Sequence, residues 1–347
     1  LANDDLKKLL EKTVSHRLIS GVSLSLRMRQ GDQTWASCIG NIEEDSQYFI
    51  ASTTKLYTTA LTLILEAEGK LSLSDLIVDY IDRPILAGLQ TYGGEDHCEK
   101  ITIQQLLSHT SGIPDYFQGI SDDRSSLEKQ LCSGVDCSWT LDDALDRARQ
   151  MKAPFPPGKR GKALYSDTNF QLLGKIVSIA GGSSFEDLLT EHILYPLKLK
   201  HTYLFKDPLD SRPLPLRMRN TALSIPLAMT SFGPDGGIVS TTAELMTFLV
   251  AFFEGDFFSL SRLKDLMRWN PIFFPLDYGI GISRFRVRWF MMPFMKRPEY
   301  IGHSGLSGAF AFYCPTKSVY LAGTVNEISR PSLSFRLLIN AVSPYAG

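Results

Sequence analysis

A chain of 347 residues, 44% hydrophobic and 21% charged, carries enough apolar content for one large globular domain or two ordinary ones. Its 36 basic and 37 acidic side chains nearly cancel, to a net charge of −1, and build no positive field for nucleic acid. No run approaches the roughly 18 apolar residues of a membrane span, and five cysteines without a CxxC pair make no disulfide framework.

In chain order, Leu6, Leu9, Leu10 and Val14 fall on one face of a first helix that Asn3 can cap. "GVSLSLRM" alternates Val22, Leu24, Leu26 and Met28 with Ser23, Ser25 and Arg27, the pattern of a half-buried strand. "QGD" then turns into a second strand near Trp35 and Ile39. A helix follows Ser52 and stops at Gly69, a left-handed cap. From about residue 71 to 223, short amphipathic helices alternate with loops rich in Pro and Gly. Strand patterns return in "YGIGISRFRVRWF", "AFAFYC" and "SVYLAGTVN", and the helix "SFRLLINAV" closes the chain. The expectation is an α/β (α+β) fold with a central antiparallel sheet built from both chain ends and flanked by helices. Residues 1–70 and 224–347 would form the sheet domain, residues 71–223 a mainly helical lobe, with the active site between them.

Serine hydroxyls are poor nucleophiles until a neighbour takes their proton. Ser52 and Lys55 stand three residues apart on one helical face, about 5–6 Å between Cβ atoms. Ser126/Lys129 and Ser261/Lys264 share that spacing, and a serine at a helix start is also an N-cap. What distinguishes Ser52 is its company, Tyr165-Ser166-Asp167 and then His303-Ser304-Gly305 at the head of a strand.

These three motifs, in this order, resemble those of the serine β-lactamase and penicillin-binding-protein superfamily. The resemblance is closest to the class C branch, with its D-Ala-D-Ala peptidases, D-aminopeptidases and carboxylesterases. "QQLLSHTSGIPDY", "ILYPLKLKHTYL" and "GPDGGIVSTTAELMTFL" look like the same branch, so the likeness covers about residues 21–325. It implies that Ser52 is the nucleophile and that Lys55 removes its proton. Tyr165 is then the second acid/base group, its phenol made more acidic by Lys55. The backbone N–H groups of Ser52 and Leu306 form the oxyanion hole, and Asp167, His303, Ser304 and Gly305 face the substrate. No metal or organic cofactor is needed. The implied partner is a small ester, amide or β-lactam.

Two positions depart from the family pattern. His303 replaces the lysine that often heads the third motif, and Asp167 replaces the asparagine that usually ends the second. A free histidine is mostly neutral above pH 6.5, and an ionised aspartate only accepts hydrogen bonds. Both changes disfavour a substrate held by its own carboxylate. The expected activity is therefore carboxylesterase-like on small or apolar acyl esters. D-amino-acid peptidase, penicillin-binding or weak class C-like β-lactamase activity are the alternatives, and a binding protein without turnover is a further one.

Other residues have plainer readings. His109, after a short helix, is read as bonding the terminal carbonyls, and "EDHC" as a surface loop, not a metal site. Residues 284–300 read as a hairpin with an apolar tip at 291–295, serving as packing, as an acyl wall or as a membrane contact. Cys132 and Cys137 are close enough in sequence to bridge a loop. A trimmed start at Leu1 makes the protein periplasmic or secreted if a signal peptide was removed, and cytoplasmic otherwise. The sequence leaves the oligomeric state open.

Overall fold

The computed structural model describes residues 3–15, 19–31, 33–120, 125–287 and 297–343. The expected apolar tip at 291–295 lies outside them. The frame is an eight-stranded antiparallel sheet. Its order is Asn270–Phe273, Leu276–Tyr278, Ser283–Arg286, Glu299–Ser304, Ala309–Cys314, Val319–Thr324, Gly21–Met28 and Thr34–Gly40. The two chain ends meet where Gly21–Met28 pairs with Val319–Thr324, Leu26 opposite Leu321.

Each face of this sheet is covered. Val22, Leu24 and Leu26 pack with Leu6 and Leu10 of the Asn3–Val14 helix and Leu337 of the Ser332–Val342 helix. On the other face Ala309, Ala311 and Ala322 lie in one core with Phe248 and Phe252 of the Thr242–Glu254 helix. The first strand is therefore buried on both sides, not half-buried as its alternation suggests. Ser23 and Ser25 are only 4% and 2% exposed, and Ser23 Oγ lies 2.7 Å from Thr242 Oγ1. A helix sits where water was expected, and small hydroxyl side chains let it approach. "YGIGISRFRVRWF" is likewise not one strand: Leu276–Tyr278 and Ser283–Arg286 run antiparallel on either side of a turn.

Helix Thr54–Ala67 is buried along most of its length and ends before Gly69, whose φ of 70° suits the expected left-handed stop. Helix Asp167–Gly181 packs on it. Cys132 and Cys137 are both free thiols. The Tyr57 and Phe248 rings stack with centroids 3.5 Å apart, joining the Thr54–Ala67 helix to the layer beneath the sheet. Both residues are fully buried. Tyr57→Ala is expected to cost about 3–5 kcal/mol, the usual range for an aromatic truncated in a core, read as a lower urea midpoint at unchanged slope.

Candidate active site

A short four-stranded sheet delivers Ser52. Strand Gln47–Phe49 pairs with Ile238–Ser240, and the Ile50 N–H donates to the Ile238 carbonyl at 3.0 Å. Ala51 then takes a left-handed φ of 45°, a costly conformation for a residue with a side chain, before the 3₁₀ turn Ala51–Thr53 enters the helix. Ser52 caps nothing: the N-cap position is Thr53, which makes no side-chain cap bond. The rival serines have local duties. Ser126 caps its helix by accepting from the Lys129 N–H, and Ser261 bonds Ser259 Oγ at 2.9 Å.

Lys55 has no exposed surface. Its Nζ donates to Ser52 Oγ at 3.2 Å and to the Asp235 carbonyl at 2.7 Å, and it is ion-paired with Asp167 Oδ1 at 2.5 Å. The Tyr165 and Phe170 rings lie 5.2 and 5.4 Å away. Burial pulls the amine's pKa down, but Asp167 and then Asp235 outweigh it, so the pKa ends above its ordinary value. At rest Lys55 is an ammonium.

Tyr165 hydrogen-bonds Ser52, which pulls its pKa down, yet burial first and the Asp167 charge second raise it well above the ordinary value. The expected acidification by Lys55 is thus reversed, because burial of the phenol and the neighbouring Asp167 charge both disfavour the phenolate. The phenol is a proton donor across neutral pH. His109 packs on the Tyr165 ring at 4.5 Å, fully buried, and its Nδ1 accepts the Ser166 N–H at 3.2 Å. It holds the Tyr165-Ser166 segment instead of bonding carbonyls at a helix end. Burial, then Lys55, keep it neutral.

His303 is also withdrawn from substrate. Its Nδ1–H donates to the Ser304 carbonyl at 2.8 Å, and its Nε2 lies 3.1 Å from the Tyr278 hydroxyl, which donates to it. The ring is 3% exposed, and burial, then Lys55, depress its pKa to about 3. Both ring nitrogens are used, so the expected substrate contact through the imidazole gives way to a structural one. The backbone of the third motif reaches the cleft instead. A Cβ on Gly305 would stand 2.3 Å from the Ile50 carbonyl, so only glycine lets this turn lie against the approach to Ser52. Leu306, at the apex of the turn, lines the cleft beside Ser52.

Two carboxylates escaped the sequence reading, although both lie in stretches quoted for their family likeness. Asp235, 1% exposed, accepts from the Tyr116 hydroxyl at 2.8 Å and from Gln171 Nε2 at 3.0 Å. Burial, then Asp167, raise its pKa well above the ordinary carboxylate value. Asp115 accepts from the Asp167, Gln118 and Phe117 N–H groups, at 2.8, 2.9 and 3.3 Å. It supplies the cap that Ser166, at the N-cap position, does not provide.

Burial and the nearby Asp167 raise Asp115 to about 7. A folded state that holds this proton more tightly than the unfolded chain is stabilised below about pH 4, and that stabilisation is lost as pH rises toward 7. Urea unfolding of wild type should therefore show stability falling across this window. In Asp115→Asn, whatever its absolute stability, the fall should be shallower.

The cleft above Ser52 encloses about 550 Å³, including its open mouth. Phe117, Leu131, Ile225, Phe232 and Ile328 are among its walls; among the described residues its acidic lining side chains are Asp167, Asp235 and Glu128, and no lysine or arginine lines it. Among the described residues no His, Cys, Asp and Glu group is arranged to hold a metal ion.

Residues 6–335 match the family model described as Beta-lactamase. The D-alanyl-D-alanine-carboxypeptidase/endopeptidase AmpH of Escherichia coli K12 is 27% identical over 277 residues, covering 78% of this chain and 67% of that protein. Penicillin-binding protein 4* of Bacillus subtilis is 23% identical, and the chain spans 56% of its length. Among solved structures, the D-amino acid amidase of Ochrobactrum anthropi superposes with a TM-score of 0.78 at 22% identity, covering 98% of this chain and 99% of that one. EstCE1, described as a hydrolase with promiscuous acyltransferase activity, does so with 0.79 at 16% identity over the full length of both. The chain belongs to the beta-lactamase family, within the serine β-lactamase and penicillin-binding-protein superfamily, and is a serine hydrolase.

Proposed function

We propose that this enzyme hydrolyses esters of apolar acyl groups through an acyl-enzyme on Ser52. The observation that carries the reading is the cleft itself: a serine paired with a buried lysine, under apolar walls that carry no lysine or arginine among the described residues. Ser52 Oγ attacks the ester carbonyl as Lys55 takes its proton. The oxyanion is received by the N–H groups of Ser52 and Leu306, an arrangement typically worth several kcal/mol. Tyr165, kept protonated, gives its proton to the departing alcohol. Water then attacks the acyl-enzyme and releases the acid.

Lys55 has to lose its own proton first, and Asp167, 2.5 Å away, is the acceptor. A neutral amine and acid are cheaper to bury than an ion pair, so an acyl group that dries the cleft favours the transfer. A second reading rests on Glu128 and Asp167 lining the cleft, with no basic residue beside them among those described. Such a lining suits an α-ammonium, as in D-amino acid amides or peptides. β-Lactams, which carry a carboxylate, should acylate slowly.

Parallel assays of 4-nitrophenyl esters, D-phenylalanine amide and nitrocefin separate these readings. Ester turnover dominating is expected, amide turnover dominating supports the second reading, and one stoichiometric burst without turnover overturns both. A fluorophosphonate should label Ser52 and neither Ser126 nor Ser261, as peptide mapping would show. Lys55→Arg should lose about 10²–10⁴ in kcat, nearly as much as Lys55→Ala, because a guanidinium cannot act as base. Asp167→Asn removes the larger of the two charges that raise Lys55, so its pKa falls. The rising limb of the ester pH–rate profile should move to lower pH, and penicillin acylation should speed up in the same mutant.

A further inference from the structure

A second cavity of about 570 Å³, again counting its open mouth, shares four lining side chains with the Ser52 cleft: Leu216, Leu223, Ile225 and Met229. The same four apolar groups thus border both spaces. Leu216 and Leu223 belong to the hairpin Leu216–Met218 and Thr221–Leu223, and Met229 ends the short helix Pro226–Met229. The hairpin backbone is anchored. Glu327 accepts from the Arg219 and Asn220 N–H groups at 2.8 and 2.9 Å, and the Ile328 N–H donates to the Arg217 carbonyl at 2.9 Å.

We infer that the second cavity is an annex of the active site that receives the distal methylenes of a medium- or long-chain acyl group, admitted past Met229 and Leu223. This rests on the ester reading above and names its substrate class. Three observations carry it. The far walls are poor in donors: Pro213, Pro215 and Pro226 remove three backbone N–H groups that an alkyl chain would otherwise leave without water, and Ser224 is exposed to solvent. The one charged lining residue, Asp210, is already matched by Arg212 at 2.8 Å and the Tyr203 hydroxyl at 2.6 Å, so a hydrocarbon strands no bare charge. The partition can yield, because unbranched Met229 has several rotamers of similar energy while the anchored hairpin keeps its frame.

Each buried methylene is worth about fourfold in rate when it is bound in the transition state. The test uses ethyl and decyl fluorophosphonates, whose reaction with Ser52 forms a P–O bond, releases fluoride and needs no ester turnover. Wild type should be labelled at least about tenfold faster by the decyl compound. Met229→Trp closes the passage. Ala222→Trp fills the annex from its exposed far side and guards against a folding defect in the first variant. In both, the decyl-to-ethyl ratio should collapse toward one. A ratio unchanged in both variants, or no decyl preference in wild type, overturns the annex. A decyl preference that collapses as expected in a protein that hydrolyses no ester overturns the ester reading and leaves the annex standing. No labelling by either compound overturns both.

Discussion

Taking an ammonium out of water costs several kcal/mol unless oxygen atoms replace the lost hydration, and Lys55 has no exposed surface at all. Its three oxygen contacts come from Ser52, Asp167 and the Asp235 carbonyl, at 3.2, 2.5 and 2.7 Å. Supplying them forces three distant parts of the chain together. Helices Thr54–Ala67 and Asp167–Gly181 must pack side by side, and the turn at 233–235 must cross both. Thr58 fixes that turn by donating to the Pro234 carbonyl at 2.6 Å, and Gln171 fixes it from the other side through the Phe232 carbonyl at 2.8 Å. The active site and the helical packing are one solution to one charge.

The same charge organises the acids. With Asp167 spent on Lys55, further acids nearby meet burial first and then repulsion from Asp167. Asp235 consequently keeps its proton well beyond the usual range, and Asp115 holds its own until about neutrality. Three carboxyl groups therefore place far less negative charge beside Ser52 than their number suggests. An apolar cleft can then end on such a cluster without repelling an uncharged substrate, whereas a carboxylate would meet no lysine or arginine among the described lining residues.

Much of this was legible locally. Three residues on a helix face put Ser52 within reach of Lys55, and alternation located the strands. For the first strand the alternation misled about exposure, because a strand cannot know that the Thr242–Glu254 helix will cover its serines. Asp115 and Asp235 were beyond reach for a related reason. Tyr116 donates to Asp235 across 119 residues, and Asp167 to Asp115 across 52, so each acid acquires its role only through a tertiary contact. The error over Tyr165 has the same source. Its pKa is set first by burial and then by the Asp167 charge, and both arise only once the chain has folded.

His303 carries this lesson into specificity. As a residue type it is a candidate donor to substrate, and its replacement of a lysine reads as a weakened cation. In place, it donates Nδ1–H to a carbonyl and accepts from Tyr278, so no hydrogen-bonding capacity is left over. A neutral ring with both nitrogens occupied recognises nothing; it stiffens the strand that presents Gly305 and Leu306. With the His303 ring occupied, discrimination rests on what lines the cleft around Ser52. That is the apolar wall on one side and the acidic cluster on the other, and the proposed preference for apolar acyl groups rests on these two surfaces.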